Sequence, residues 1–163
     1  MKTQKLIICL LAFVPFITMA QPPIHGTVVD VIDGNTLLVQ TTDDTYRVLL
    51  HGIDSPEPGQ RFAEQSTKRL KELVLKKKVT IQLQGRDRQG HRIGRIYLDS
   101  DTDPHQEMVK AGLAWPAEKH NDPTLEALKE EARQKSLGIW SEENPVPPWT
   151  YRRQQTMLEA KSS

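Results

Sequence analysis

Residues 26–51 read GTVVDVIDGNTLLVQTTDDTYRVLLH, a succession of short runs rich in β-branched residues and separated by turn residues. The runs 27–32, 36–41 and 45–51 predict three strands, because clusters of Asp, Gly, Asn and Thr between such runs are typical of hairpin turns. We therefore expect a three-stranded meander at the start of the domain.

The rest of the chain predicts two more strands and three helices. Residues 61–75 place apolar side chains at helical spacing, and the runs 79–83 and 93–98 predict a second hairpin. Residues 105–111 and 124–135 predict two helices that end before Gly112 and Gly138, the second capped by Asp122. Five strands with interleaved helices predict an α+β domain, a five-stranded OB-fold-type β-barrel with helices packed at its side.

The first twenty residues have the layout of a secretory signal peptide, with two lysines, an apolar run at 6–17 and a small-residue end. A membrane anchor is the alternative, but this run is shorter than the ~20 residues that a spanning helix needs, and Pro15 interrupts it. We expect cleavage after Ala20, one compact domain over residues 21–153 and a flexible tail over 154–163. The mature protein would be exported, periplasmic or extracellular, without membrane attachment, and monomeric.

The cysteine content and the net charge indicate how the mature chain is stabilised and how it could attract phosphate. The only cysteine, Cys9, lies in the signal, so the mature chain has no disulfide and depends on its core. Removal of Lys2 and Lys5 would leave 20 basic residues against 21 acidic ones, a formal charge of −1. Attraction to phosphate must therefore come from local basic clusters, although such clusters are also common on solvated surfaces. The clusters are Lys68, Arg69 and Lys71, then residues 76–78, then Arg86, Arg88, Arg92 and Arg95.

The segment His51-Gly52-Ile53-Asp54-Ser55-Pro56-Glu57 places a candidate metal carboxylate three residues before a candidate general base. Together with Asp-Gly-Asn-Thr at 33–36 and Asp-Arg-Gln-Gly-His at 87–91, it resembles the staphylococcal nuclease (thermonuclease) family. Residues 109–115, 138–140 and 148–152 also look like the C-terminal half of bacterial thermonuclease-like domains. The resemblance runs from about Gly26 to Arg152 and implies calcium-dependent hydrolysis of phosphodiester bonds in DNA or RNA.

The resemblance also implies roles for individual residues. Asp54 and the carbonyl of Ser55 would bind calcium, which prefers hard oxygen ligands, and Glu57 would be the general base. Asn35 stands where the family pattern has a second aspartate, so we expect weak calcium binding, because the site loses one negative charge. The alternative is that residues 33–35 and 54–56 are ordinary turns.

Two phosphate-binding arginines of the family pattern are replaced in this chain. Leu49 takes the first position, and Arg47, two residues away on the same strand face, is the candidate substitute. The alternative is that Arg47 is an ordinary solvent-facing strand arginine. His91 takes the second position, where a protonated imidazole donates a hydrogen bond but offers no bidentate fork. Three further arginines, Arg88, Arg92 and Arg95, are close in sequence, and the residues alone do not decide among them.

Two functions follow as expectations. The first is an exported nuclease with an impaired or rearranged site that acts on single-stranded or denatured DNA or on RNA. The second is a degenerate nuclease fold that binds nucleic acid or another anion without cutting it. The histidines lack paired ligand spacing, which argues against zinc, and the tryptophans are interpreted as packing residues.

Overall fold

The computed structural model describes residues 22–162 and contains a closed barrel of five strands. The strands are β1 (Ile24–Asp33), β2 (Thr36–Gln40), β3 (Thr45–Leu50), β5 (Lys78–Arg86) and β6 (Arg92–Leu98). Their order around the barrel is β1-β2-β3-β6-β5. The β1 strand is antiparallel to β2 and β5, whereas β3 runs parallel to β6. This arrangement confirms the predicted α+β barrel architecture. The predicted signal peptide, with Cys9, lies outside the described residues.

Side chains from all five strands fill the barrel and form one core with the helices. Along β2 and β3 the buried positions alternate with more exposed ones, as expected for strands with one face on a core. Each fully buried aliphatic side chain contributes about 1.5–3 kcal/mol to stability. The buried strand residues are Val28, Val31, Leu37, Val39, Val48, Leu50, Val79, Ile81 and Ile96.

In the described part of the chain, four helices and two very short strands surround the barrel. The helices are α1 (Ala63–Val74), α2 (Pro104–Lys110), α3 (Pro123–Gln134) and α4 (Pro148–Ser162), with a 3-10 turn at Gly138–Ser141. The strands β4 (Ile53–Asp54) and β7 (Trp115–Pro116) pair with each other outside the barrel. As predicted, the Asp122 side chain caps α3, accepting hydrogen bonds from the backbone N–H groups of Thr124 and Leu125.

The C-terminal segment differs from the sequence-based prediction. The proline-rich residues 145–149 favour an extended segment, and residues 154–163 were predicted to be a flexible tail, but α4 runs through residues 148–162. Proline is tolerated in the first turn of a helix, where its missing N–H needs no partner, so Pro148 begins α4 instead of preventing it. No glycine or proline follows Pro148, and the helix therefore continues. Among the described residues, none of the helices has the length and apolar character needed to cross a membrane.

Candidate active site

One open pocket of about 640 Å³ brings together Asn35, Arg47, Asp54, Glu57 and His91, whereas Ser55 is buried and does not line it. The turn between β1 and β2, the end of β3, the β4 strand and the turn between β5 and β6 all contribute to its wall. The segment after β7 and the first turns of α4 complete it. The polar and charged residues that line the pocket are Asp33, Asn35, Thr36, Arg47, His51, Asp54, Glu57, Asp87, Gln89, His91, Lys119, His120 and Arg152.

Asn35 ties the turn between β1 and β2 to the segment that carries Asp54. Its side-chain Oδ1 accepts a hydrogen bond from the hydroxyl of Ser55 at 2.9 Å, and its Nδ2 donates to the carbonyl of Ile53 at 3.4 Å. The two segments approach closely because Gly34 has no side chain. A Cβ there would lie 2.6 Å from the Cβ of Ser55. In this arrangement the Asn35 amide contributes to the turn architecture that we considered as the alternative to metal binding.

Asp54 and Glu57 share one cationic partner, Arg152 of α4. Nη1 of Arg152 donates to Asp54 Oδ1 at 3.2 Å and Nη2 donates to Asp54 Oδ2 at 2.7 Å. Nη1 also donates to Oε1 of Glu57 in a very short contact. Burial raises the pKa of Asp54, although hydrogen bonds from Arg152 oppose this shift. The hydrogen bond to Asp54 is the main reason that the pKa of Arg152 is raised. The two carboxylates are therefore held around a guanidinium.

The substituted positions also face this pocket. Leu49 is half-buried, and it pairs with Ile93 across the parallel strands β3 and β6. Arg47 is exposed and lies at the pocket, as its position two residues from Leu49 predicted. His91 is held by Asp87, with 2.8 Å between the imidazole Nδ1 and Oδ2 of the carboxylate. The pocket thus has an apolar side at Leu49 and cationic groups around it.

The other arginines that we considered as substitutes have different partners. The guanidinium carbon of Arg92 lies 3.4 Å from the ring centroid of Tyr46. Nη2 of Arg95 donates to Oδ2 of Asp103 at 2.5 Å, so both arginines are engaged away from the pocket. Arg88 is exposed on its turn and is not part of the pocket wall. Of the four candidate arginines at 47, 88, 92 and 95, only Arg47 lines the pocket.

Sequence reasoning missed four pocket residues that come from other parts of the chain. These are His51, Lys119, His120 and Arg152. The rings of His51 and His120 meet edge to face, with centroids 4.6 Å apart. Burial is the largest of the effects that lower the pKa of His51, followed by the neighbouring His120. No spacing rule connects residues this far apart, and the only available signal for Arg152 was the resemblance of residues 148–152 to family C termini.

A buried histidine, His105, is hydrogen-bonded to the loop that lines the pocket. His105 is fully buried, and its Nε2 accepts a hydrogen bond from the backbone N–H of Ile96 at 3.1 Å. Its Nδ1 therefore carries the proton and donates to the carbonyl of His51 at 2.9 Å. Burial is the main reason that the pKa of His105 is lowered to about 4. A neutral His105 consequently links α2 and β6 to the loop that enters the site.

In this arrangement other groups already occupy the side-chain oxygens that a calcium ion would need. Both oxygens of Asp54 accept hydrogen bonds from Arg152, and the Asn35 amide oxygen accepts one from Ser55. Within residues 22–162 no group of three or more His, Cys, Asp or Glu side chains converges so that it could hold a metal. A divalent cation at Asp54 would first have to displace the guanidinium.

Comparison with known proteins identifies the family. Residues 47–142 match the family model of the staphylococcal nuclease homologues. The chain belongs to this family. An uncharacterised endonuclease of Escherichia coli is 44% identical over 130 residues, covering 79% of this chain and 85% of the relative. A micrococcal nuclease of Shigella flexneri is 34% identical over 140 residues, covering 79% and 80% of the two chains.

The family assignment and the structure agree on the architecture. This staphylococcal nuclease homologue has the closed five-stranded barrel with helices that the resemblance implied. A further relative, an uncharacterised endonuclease of Haemophilus influenzae, is 35% identical over 130 residues, or 78% of this chain and 72% of the relative. The chain is therefore a nuclease-family protein, and nucleic acid is the substrate class of its family.

Proposed function

We propose that this staphylococcal nuclease homologue hydrolyses phosphodiester bonds of single-stranded or denatured DNA or of RNA at the pocket that contains Asp54 and Glu57. The observation that carries the proposal is the convergence of these two carboxylates on Arg152 in an open pocket. Such a pocket provides a base for water and a cationic donor for a phosphate in the same place. The names of the relatives, endonuclease and micrococcal nuclease, support the same reaction class.

Glu57 is the proposed general base. Its Oε1 accepts a hydrogen bond from Arg152, and its Oε2 has no hydrogen-bond partner among the described residues. A water molecule at Oε2 would transfer its proton to the carboxylate while its oxygen bonds to phosphorus. The bond from phosphorus to the leaving nucleoside oxygen then breaks, and that oxygen takes a proton from solvent. Cationic donors in the pocket stabilise the charge that develops on the nonbridging oxygens.

Calcium is proposed as a weak ligand of this protein. The residues that would hold it are those implied by the resemblance, Asp54, the Ser55 carbonyl and the Asn35 amide oxygen. Asn35 contributes no charge, and the guanidinium of Arg152 competes for Asp54. Calcium affinity falls as the charge of its ligands falls, so millimolar concentrations are the relevant range.

A second function is favoured by a specific observation. Arg152 contacts both the proposed base and the partly buried Asp54, while Leu49 and His91 replace two arginines of the family pattern. A transition-state arginine in phosphoryl transfer is worth about 10³ to 10⁵ in rate. The same pocket can therefore bind a single-stranded nucleic acid without cutting it.

Degradation of denatured DNA separates the two functions. The mature protein would be incubated with labelled denatured DNA in calcium and in chelator, beside the Glu57→Gln variant. Hydrolysis that the variant lacks supports the nuclease. Binding of the same DNA without hydrolysis, under either condition, replaces it with the binding function.

We also propose that the protein is exported and acts as a monomer. The signal-like first twenty residues support export to a periplasm or beyond the cell. The N-terminal sequence and mass of the protein in periplasmic and culture fractions would test cleavage after Ala20. Light scattering on the same material measures the oligomeric state.

A further inference from the structure

Arg152 reaches the site from the far end of the chain on a helix that is well anchored. The backbone N–H of Glu57 donates to the side-chain oxygen of Gln60 at 2.9 Å, and Nε2 of Gln60 donates to the carbonyl of Val146 at 2.9 Å. Gln60 thus connects the loop of the proposed base to the segment just before α4. On the other side, Arg153 pairs with Glu118 at 3.2 Å. The Gln60 bridge holds the first turns of α4 beside Glu57, whereas the exposed pair of Arg153 and Glu118 adds little stability.

The guanidinium of Arg152 has unused N–H donors while it binds the two carboxylates. An arginine side chain has five N–H donors and no acceptor. Three of these hydrogens point at Asp54 and Glu57. The Nε hydrogen and the second Nη2 hydrogen have no partner among residues 22–162, and the side chain is 48% exposed. The group can therefore donate to a further anion without leaving Asp54.

Among residues 22–162, no other arginine contacts the carboxylates of Asp54 and Glu57. The Leu49 side chain has no hydrogen-bond donor. Arg92 stacks on the ring of Tyr46, and Arg95 forms an ion pair with Asp103. Arg47 lies at the pocket, but no contact joins it to Asp54 or Glu57 in the described part of the chain. Arg152 is thus the pocket arginine in direct contact with the proposed base.

We infer that Arg152 is a phosphate-binding residue of this site and takes over the role of the missing strand arginine. It neutralises Asp54 and Glu57 before substrate arrives, and it donates to a nonbridging phosphate oxygen when single-stranded nucleic acid binds. Charge-assisted, forked hydrogen bonding is the reason that arginine suits this position. The inference rests on the proposed nucleic-acid site, but it concerns binding and not cleavage.

The opposite role for Arg152 is that of a plug that occupies the carboxylates and blocks the pocket. The two roles predict opposite effects of its removal. A phosphate-binding arginine strengthens oligonucleotide binding, whereas a plug weakens it. Binding in chelator separates them, because neither metal nor cleavage contributes there.

The experiment measures the Kd of a fluorescent single-stranded oligonucleotide by anisotropy in chelator for wild type, Arg152→Ala, Arg152→Lys and Arg153→Ala. We expect Arg152→Ala to weaken binding about tenfold or more, as for a lost hydrogen bond to a charged group. The Kd of Arg152→Lys should lie between those of wild type and Arg152→Ala, because an ammonium group keeps the charge but not the forked hydrogen bonding. Arg153→Ala, the neighbouring arginine of α4, should stay within about twofold if its pair with Glu118 is a surface ion pair.

Two further measurements make the result specific to a phosphate contact. The slope of log Kd against log salt should fall by about 0.7 in Arg152→Ala, the value of one phosphate contact on a single strand. Leu49→Arg, added to Arg152→Ala, should recover part of the affinity, because Leu49 lines the same pocket. Circular dichroism and thermal melting of each variant show that the fold is retained.

Equal or tighter binding by Arg152→Ala overturns the inference, and tighter binding identifies Arg152 as a plug. Absence of oligonucleotide binding by the wild type also overturns it. Failure of the proposed hydrolysis has a different signature, since Arg152-dependent binding then persists while denatured DNA stays intact in calcium.

Discussion

The guanidinium of Arg152 forms a two-point contact with the carboxylate of Asp54, at 3.2 Å to Oδ1 and 2.7 Å to Oδ2, across 98 residues of sequence. The side chain of Asp54 is only 14% exposed, so this partner offsets much of the cost of burying a charge there. The same guanidinium contacts Glu57. The two carboxylates of the pocket are consequently linked through one residue.

Glu57→Gln should reduce turnover on denatured DNA by at least about 10²-fold, because a positioned base typically contributes that much. The fold should be unchanged, since Glu57 is partly exposed. Glu64→Gln, at an exposed position in the first turn of α1, is the matched control and should keep its activity. Equal initial rates for Glu57→Gln and wild type would rule out the proposed base.

Calcium should bind the wild-type protein weakly, in the millimolar range expected of sites with few charged ligands. Removal of Arg152 frees both oxygens of Asp54, so Arg152→Ala should bind calcium more tightly. Titration calorimetry without nucleotide measures both affinities. Micromolar binding by the wild type would contradict the weak site, and an unchanged affinity in the variant would contradict competition by Arg152.

Arg47→Ala should weaken nucleotide binding and cleavage together, because Arg47 is the exposed strand arginine at the pocket. Thermal stability should change little at such a position. Arg88→Ala, on an exposed turn residue outside the pocket wall, serves as the matched control. If the two variants have the same affinity and rate, Arg47 is a surface residue without a role at the site.

The combination Asn35→Asp, Leu49→Arg and His91→Arg should increase kcat on denatured DNA with calcium by at least about 10²-fold, the value of one transition-state donor. The gain should be non-additive among the three changes, because the groups act on the same developing charge. Adding Glu57→Gln should remove the gain. A folded triple variant without any gain would show that the backbone of the loops has left the nuclease arrangement.

The stability of the protein should fall as the pH decreases from about 6.5 towards 4. Folded His105 has a pKa of about 4 against an ordinary 6.5, so in this window the unfolded chain binds a proton that the folded protein rejects. The loss amounts to roughly 3 kcal/mol over the window, at 1.36 kcal/mol per pKa unit. Besides burial, the charge of Arg95 favours this direction, whereas Asp103 and the hydrogen bond to the His51 carbonyl oppose it.

Urea unfolding at pH 7, 5.5 and 4.5 checks the effect of His105. His105→Gln should be less stable at pH 7, because it disturbs the bonds to Ile96 and His51, but its stability should depend less on pH. His25→Gln alters an exposed histidine and should keep the wild-type profile. Parallel pH profiles for His105→Gln and wild type would assign the acid sensitivity to other groups.

The sequence by itself determined the barrel and the local part of the site. Alternating β-branched runs and short turns specify strands through neighbouring residues, and Asp122 before a proline specifies a helix start in the same way. Asp54 and Glu57 lie three residues apart on one loop, so their presence in one pocket followed from the segment alone. The prediction of an extended segment at 145–149 was wrong at its C-terminal end, because Pro148 is compatible with both an extended chain and a helix start.

Only the tertiary structure decided which cations face Asp54 and Glu57. Arg88, Arg92, Arg95 and Arg47 are equivalent in a reading of local sequence, yet barrel closure leaves only Arg47 at the pocket. Arg152 enters because α4 packs beside the loop of Glu57, through contacts that span 86 to 98 residues. Periodicity and spacing report on neighbours along the chain. The partner of a buried carboxylate depends instead on how distant helices pack, and that is a property of the folded whole.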